Sequence, residues 1–368
     1  MLVGIDGSRA SSDQKTGTEN YSLSLISALI DSDRQNKYEI YLRKDVDFGV
    51  GSHDNISKKI ISLPRLWTQL GLALEVALRP PELLFIPAHT LPVLRRQDMK
   101  TVVTIHDLGY EFLPEYHKFP QKFYLNKSTV YAAKKASHLI AVSEATKQDL
   151  VTKLGVDPAK ITVVYEGFDS KNYKPSSNEA IEAVKQKFGL SSYLLFVGTI
   201  QPRKNLENLL RAYAKVCRKI DCDIVLSGKR GWLDGKIMEL PKELGIGDKV
   251  KFLGYTTSEE LPALYSGAKA FVYPSLFEGF GIPILEAFAC HTPVLTSNIS
   301  SMPEVAKDSA LLVDPYDIDS IGECIIQIIS NDVLRNQLIK RGKDRVQYFS
   351  WDKCAEETIK VFEKVYNQ

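Results

Sequence analysis

Short, mostly apolar runs alternate along this chain with amphipathic stretches of helical period, and that alternation restricts the fold more than any other feature. The runs cover residues 2–6, 38–42, 59–63, 83–86, 101–106, 139–143 and 161–166 in the first half. They resume at 193–198, 223–228, 250–254, 270–274, 293–297 and 311–314. Helical patterns fall between them at 19–30, 66–78, 121–136 and 144–154, then at 206–218, 258–267, 281–290, 318–329 and 333–349. Continuous apolar strands suit burial on both faces, and helices between strands allow the crossovers that parallel pairing needs. The expectation is an α/β protein built on parallel sheets. The stretch 66–78 is apolar nearly all round and stops at Pro80-Pro81, so it reads as a buried helix.

A length of 368 residues exceeds one ordinary core and suits two domains. The polar segment 169–192, with Pro175-Ser-Ser-Asn and a short helix at 179–188, is the linker candidate. It separates a first domain, 1–172, from a second, 190–350, leaving an amphipathic segment at 351–366. Net charge is only +2, so nothing global favours a nucleic-acid partner. The five cysteines are odd in number and lack C-x-x-C spacing, which argues against a zinc site or a disulfide framework. The opening Met1-Leu-Val-Gly-Ile-Asp6 meets a charge too early for a signal peptide, and no apolar run is long enough for a membrane span. A cytoplasmic protein is expected.

One stretch carries chemistry most plainly: Ser275-Leu-Phe-Glu278-Gly-Phe-Gly-Ile-Pro-Ile-Leu-Glu286-Ala-Phe-Ala-Cys290. It reads as the end of a strand, a glycine-bearing loop and a helix start, with Pro283 in the first turn. Backbone N–H groups from Gly279, Phe280, Gly281 and Ile282, at the positive end of a helix dipole, suit a phosphate. Glu278 precedes that turn, and Glu286 lies about one turn inside the helix, where a carboxylate can accept bonds from two adjacent sugar hydroxyls. The plain structural reading of such a glutamate is a partner for the helix dipole.

Other polar residues collect just after strands: Asp6-Gly7, His106-Asp107, Ser143-Glu144, Glu166-Gly167, Gly198-Thr199 and Gly228-Lys229-Arg230. In open parallel sheets, ligands bind beyond the strands' carboxyl ends, so two sheets facing each other would share a cleft. Gly198-Thr-Ile-Gln-Pro-Arg203-Lys204-Asn205 sits at one such junction, where Arg and Lys can neutralise a pyrophosphate. A solvated basic turn is the plainer alternative. His106 reads either as a structural strand end or as a hydrogen-bond partner or charge stabiliser. Ser143-Glu144 reads mainly as a helix cap.

Two glutamates eight residues apart around Gly-Phe-Gly-Ile-Pro resemble the E-x7-E motif of retaining nucleotide-sugar glycosyltransferases of group 1, family 4. Gly198 to Asn205 resembles that family's G-x-x-x-x-[RK]-K-N element. Thr16-Gly17-Thr18-Glu19-Asn20-Tyr21 resembles its G-G-[IV]-x-x-[YF] loop, with one glycine missing. The Cys290–Val305 run looks most like bacterial surface-polysaccharide mannosyltransferases. The resemblance implies the GT-B fold: two Rossmann-like parallel-sheet domains facing across a cleft, with the C-terminal helix crossing back to the first. It places Glu278 and His106 at the reacting centre. It assigns Gly17, Thr18, Gly198, Arg203, Lys204, Tyr255, Gly279, Phe280, Gly281, Ile282 and Glu286 to the nucleotide sugar. Where this chain has Glu166-Gly167 the family usually has Asn-Gly.

The activity implied is transfer of a hexose, mannose from GDP-mannose as the first choice, to a hydroxyl of a saccharide or lipid-linked saccharide. The alternatives are an inactive nucleotide-sugar-binding protein and a GT-B epimerase or phosphorylase. D-x-D pairs occur at Asp45/Asp47, Asp221/Asp223 and Asp317/Asp319, none at a strand end carrying the other motifs. No metal and no cofactor beyond the donor are expected. Finally, Tyr116 to Lys135 holds five lysines and no acid, interleaved with aromatics. One reading is a helix with core aromatics and solvated lysines. The other is contact with an anionic membrane surface through Lys118, Lys122 and Lys127.

Overall fold

A computed structural model describes residues 1–12, 17–51, 53–109, 121–231 and 234–368, leaving aside the side chains of 121–126. The chain forms two compact units, Met1–Gly167 with Phe349–Gln368, and Phe168–Tyr348.

The first unit is built on seven parallel strands: β1 (Leu2–Asp6), β2 (Lys37–Leu42), β3 (Ile56–Ile60), β4 (Leu83–Ile86), β5 (Lys100–Ile105), β6 (His138–Ala141) and β7 (Ile161–Val163). Their order across the sheet is β3-β2-β1-β4-β5-β6-β7. The central strands are buried save for Lys100 at the start of β5, as their continuous apolar runs require. Strand β3 lies three residues before the expected 59–63. On the sheet's edge Lys58 is exposed and Lys59 pairs with Glu75, so its apolar signal is weak, and pairing with β2 sets its position.

Helices α1 (Gly17–Ser32), α2 (Ala73–Leu78), α3 (Gln121–Lys135) and α4 (Glu144–Leu154) cover this sheet. Ser143 caps α4 by accepting the amide of Thr146, as expected of it. The stretch 66–78 differs from expectation. It is a π-helical segment, Trp67–Leu72, running into α2, and only Trp67, Leu72, Ala73 and Val76 are buried. Leu66, Leu70, Leu74 and Leu78 stand exposed. The reading of a fully buried helix is therefore corrected: nothing among the described residues covers its second apolar face.

The second unit holds six parallel strands in the order β10-β9-β8-β11-β12-β13. They are β8 (Tyr193–Val197), β9 (Asp223–Ser227), β10 (Val250–Gly254), β11 (Ala270–Tyr273), β12 (Val294–Ser297) and β13 (Ala310–Val313). Around them lie α5 (Asn178–Phe188), α6 (Leu206–Val216), α7 (Gly235–Glu243), α8 (Leu261–Gly267), α9 (Ile282–Ala289), α10 (Met302–Ala306), α11 (Ile318–Ser330) and α12 (Asp332–Val346). Helices α7 and α10 escaped the sequence reading. The first has Pro241 inside it, which masks a helical pattern, and the second is a single short turn. Helix α5 belongs to this unit and packs on α8, so residues 178–188 are structured rather than a bare linker.

The last helix, α13 (Trp351–Tyr366), packs on α1 and β5 of the first unit. Gly167 permits the approach, since a Cβ there would stand 2.3 Å from the amide nitrogen of Trp351. Its buried face is Cys354, Ala355, Thr358, Val361, Phe362 and Val365. The segment is amphipathic, as expected, and Ala355 and Phe362 fall on the buried side. Trp351 and Ile359 are only partly buried, because the contact line is rotated toward Cys354 and Thr358.

Candidate active site

The order of each sheet reverses where a strand's two neighbours lead the chain in opposite directions, and there a crevice opens at the carboxyl ends. In the second unit this point is β8 beside β11. Strand β8 leads into Gly198, and the close pass of the chain there explains Gly228: a Cβ on Gly228 would lie 1.9 Å from the Gly198 carbonyl oxygen. A single 3-10 turn, Pro202–Lys204, follows. Asn205 ends it in a left-handed conformation and anchors it through bonds to the carbonyls of Pro274 and Pro315. Beyond β11, the loop reaches Gly281, the N-cap of α9 at φ +115°.

Three of the expected site residues meet here. Lys204 Nζ lies 2.6 Å from Glu278 Oε1, and an Arg203 guanidinium nitrogen lies 2.9 Å from Glu278 Oε2. Tyr273, which the sequence reading missed, donates its hydroxyl to Oε1 at 2.9 Å and receives a bond from Lys204 at 2.6 Å. The same guanidinium also bonds the Phe277 carbonyl at 2.7 Å. Burial alone would raise the Glu278 pKa, but the charges of Arg203 and Lys204 outweigh it and bring it down to about 2. Ser300 and Ser301 hold the Glu278 main chain, and Ser301 also donates to the Phe280 carbonyl. Both glutamate oxygens are thus engaged within the protein.

Glu286, on α9, has different neighbours. The Tyr265 hydroxyl donates to its Oε2 at 2.9 Å, and Tyr173 is a second hydrogen-bonding partner. Burial, helped by the charge of Asp169, pushes its pKa up to about 7 against the pull of these two bonds. Tyr255 follows β10 and is 68% exposed, with Lys229 Nζ 4.8 Å from its ring centroid.

In the first unit, His106 follows β5 and is buried. Its Nδ1 faces Glu166 Oε1 at 3.2 Å, and its Nε2 faces the Pro87 carbonyl at 3.0 Å. Its amide donates to His89 Nε2, and the edge of Tyr21 meets its ring at 4.5 Å. Burial lowers the His106 pKa, yet Glu166 outweighs it and the net shift is upward. Burial, helped by His106, drives His89 down to about 3. With both ring nitrogens engaged, His106 does not offer them to a ligand in this state, which narrows the hydrogen-bonding role expected of it. Gly17 opens α1 and is exposed, and Thr18 is partly buried.

Of the basic–aromatic stretch, Lys118 lies outside the described residues, as does the side chain of Lys122, while Lys127 is exposed. The D-x-D aspartates have structural partners: Asp45 pairs with Lys58, Asp223 with Lys249, and Asp317 caps α11. Among the described residues no group of three or more His, Cys, Asp or Glu is arranged to hold a metal ion. None of their helices is long and apolar enough to cross a membrane.

Comparison with known proteins agrees with this architecture. Residues 177–345 match the family Glycosyl transferases group 1, and residues 40–172 match Glycosyltransferase Family 4. The O-antigen chain mannosyltransferase B of Escherichia coli is 36% identical over 267 residues, covering 72% of this chain and 70% of that protein. The O-antigen chain mannosyltransferase RfbU of Salmonella typhimurium is 30% identical over 319 residues, 82% and 84% of the two chains. In fold, sucrose-phosphate synthase from Thermosynechococcus elongatus superposes with a TM-score of 0.77 at 20% identity, over 100% of this chain and 99% of that one. The glycosyltransferase WaaG gives 0.73 at 15% identity, over 98% and 99%. The two parallel-sheet units and these relatives lead to one conclusion: the chain belongs to the group 1 glycosyltransferases of the GT-B fold.

Proposed function

We propose that this chain is a retaining, metal-independent hexosyltransferase that moves mannose from GDP-mannose to a hydroxyl of a saccharide or lipid-linked saccharide at the inner face of the cell membrane. The observation that carries the reading is the clamp of Glu278 between Lys204 and Arg203 at the reversal point of the second sheet. Two cations against one carboxylate leave a net positive charge beside the N-terminus of α9, which suits a departing diphosphate. Mannose is the choice because several relatives carry mannosyltransferase names.

The residues divide the work by charge. Arg203, Lys204 and the amides of Gly279 to Ile282 stabilise the leaving diphosphate, while Gly17, Thr18, Gly198 and Tyr255 help seat the donor. Glu286 accepts ribose hydroxyls. Glu278 offers negative charge to the donor sugar as positive charge builds at its anomeric carbon, and His106 acts electrostatically through its charged ring. A carboxylate with a pKa of about 2 is a poor base and a poor nucleophile. The acceptor proton therefore passes to a diphosphate oxygen on the face the leaving group departs from. The acceptor oxygen bonds to the anomeric carbon as the carbon–phosphate oxygen bond breaks, and configuration is kept.

A thermal-shift panel of GDP-, UDP-, ADP- and dTDP-sugars tests the donor. A ligand at 100 times its Kd adds about 2.7 kcal/mol of stability. Arg203→Ala should weaken free nucleoside diphosphate as well as the sugar nucleotide. Retention of free diphosphate by this variant would remove the clamp, and stabilisation by UDP-sugars alone would remove the GDP assignment.

A further inference from the structure

The chain enters the second unit through residues 168–177, and this stretch is fastened onto the two helices that flank Glu286. Asp169 closes a tight turn. Its carboxylate accepts the amides of Lys171 and Asn172 and the Asn172 side chain, and its carbonyl accepts the Tyr173 amide at 2.9 Å. The turn brings Tyr173 onto α8 and α9. Its ring meets that of Tyr265 edge to face, with centroids 6.0 Å apart, and its hydroxyl donates to the Glu286 carboxylate. The residues that follow are pinned separately. The Ser176 amide donates to Ser266 Oγ at 3.1 Å, and the Lys174 main chain bonds the Cys290 sulfur. Ser177 then caps α5, which packs on α8.

A loop anchor alone would need only an aromatic ring in that place, since Lys174 and Ser176 already tie the stretch down. The Tyr173 hydroxyl does something specific to Glu286. Burial, and then the glutamate's own charge, hold the Tyr173 and Tyr265 hydroxyls far above their usual pKa, so both remain proton donors. An ionised carboxylate offers about four lone-pair sites, so two hydroxyl donors leave the others for a ligand. The same two bonds limit rotation of the glutamate side chain. A group ordered before the ligand arrives loses less freedom on binding. Tyr265 is fully buried on α8, whereas Tyr173 is partly buried and comes from outside any helix, so it can be altered without opening the core.

We propose that Tyr173 is a positioning residue for the ribose of the donor nucleotide, acting through Glu286 with Tyr265 as its partner. The entry stretch 168–177 is then part of the nucleotide site and not a passive connection. Tyr173 fixes the carboxylate, and the carboxylate accepts the two ribose hydroxyls on its remaining lone pairs. The inference rests on the reading of Glu286 as the acceptor of those hydroxyls.

The test is calorimetric titration of the full chain with GDP and UDP, each beside its analogue lacking both ribose hydroxyls, at a pH above the Glu286 value of about 7. Whichever diphosphate binds carries the comparison. Wild type should hold the analogue at least about ten-fold more weakly, because it loses hydrogen bonds to a charged group. Tyr173→Phe should bind the natural diphosphate about two- to ten-fold more weakly, the range for one net hydrogen bond. It should bind the analogue as wild type does. Tyr265→Phe should show the same pattern. Both variants keep the aromatic ring, and melting of the unliganded proteins serves as the folding control. A Tyr173→Phe protein that binds both ligands as wild type does, or weakens both equally, overturns the proposal and leaves the ribose role of Glu286 standing. Wild-type protein that binds the two ligands alike removes the Glu286 role, and the proposal with it. Failure to bind either diphosphate removes the transferase reading itself.

Discussion

His106 Nδ1 and Glu166 Oε1 lie 3.2 Å apart in the interior of the first unit, while His106 Nε2 faces the Pro87 carbonyl. A carbonyl and a carboxylate both only accept, so this arrangement favours the doubly protonated, cationic form of the ring. Asp107 adds a smaller pull in the same direction, and burial opposes it.

Glu166→Gln should return His106 to a neutral ring at neutral pH. The histidine's folded pKa is raised, so its stabilisation is complete below the unfolded value of about 6.5 and is lost as pH rises through the folded one. At pH 6 the substitution should cost about 1.5–3 kcal/mol, the range for a hydrogen bond to a charged group. Melting curves at pH 6 and 9 check this: the gap between wild type and variant should close at the higher pH.

Glu278→Gln removes the one carboxylate facing Lys204 and Arg203 in this clamp. The unliganded variant should lose about 3–5 kcal/mol, the cost of stranding a buried charge. Added nucleoside diphosphate should raise its melting temperature by more than that of the wild type, because phosphate replaces the missing charge. With donor saturating, kcat should fall about 100-fold or more through lost transition-state stabilisation. The wild-type pair keeps its stability above the unfolded pKa of glutamate and loses it only as pH falls through about 2. Full activity in the variant removes Glu278 from the reaction.

Glu286 behaves in the opposite sense. Between the unfolded glutamate value and about 7 the folded group holds a proton that the unfolded one has released, so stability falls as pH rises across that window. Ionised above about 7, the carboxylate accepts hydroxyl bonds best, so donor KM should improve from pH 6 to 8. Glu286→Gln should flatten both dependences and raise donor KM at pH 8 by an amount worth about 1.5–3 kcal/mol, with little change in kcat. A collapsed kcat at unchanged KM would falsify the binding role.

Deleting residues 351–368 strips Val361, Phe362 and Val365 from the first unit and uncovers the faces of α1 and β5 that they pack against. The truncated chain should aggregate and bind a hydrophobic dye. A monomeric truncation with wild-type donor turnover would show that α13 is dispensable.

Much of this protein is written in its local pattern. Strands buried on both faces demand continuous apolar runs, so β1, β4 and β11 fall where the runs fall, and helix α4 follows its 3.6-residue period and its Ser143 cap. Arg203, Lys204, Glu278 and Glu286 were legible because charged residues and glycines at strand ends stand out from apolar surroundings. What the tertiary structure alone decided is who meets whom. Lys204 and Glu278 are 74 residues apart and Tyr265 and Glu286 are 21 apart, and no periodicity links either pair. The two glutamates have the same side chain, yet one is held ionised by cations and the other drawn toward protonation by burial between tyrosines. The segment 66–78 makes the same point for packing. Its composition states that two faces are apolar, but whether a face is covered depends on neighbours distant in sequence, and here one is left bare.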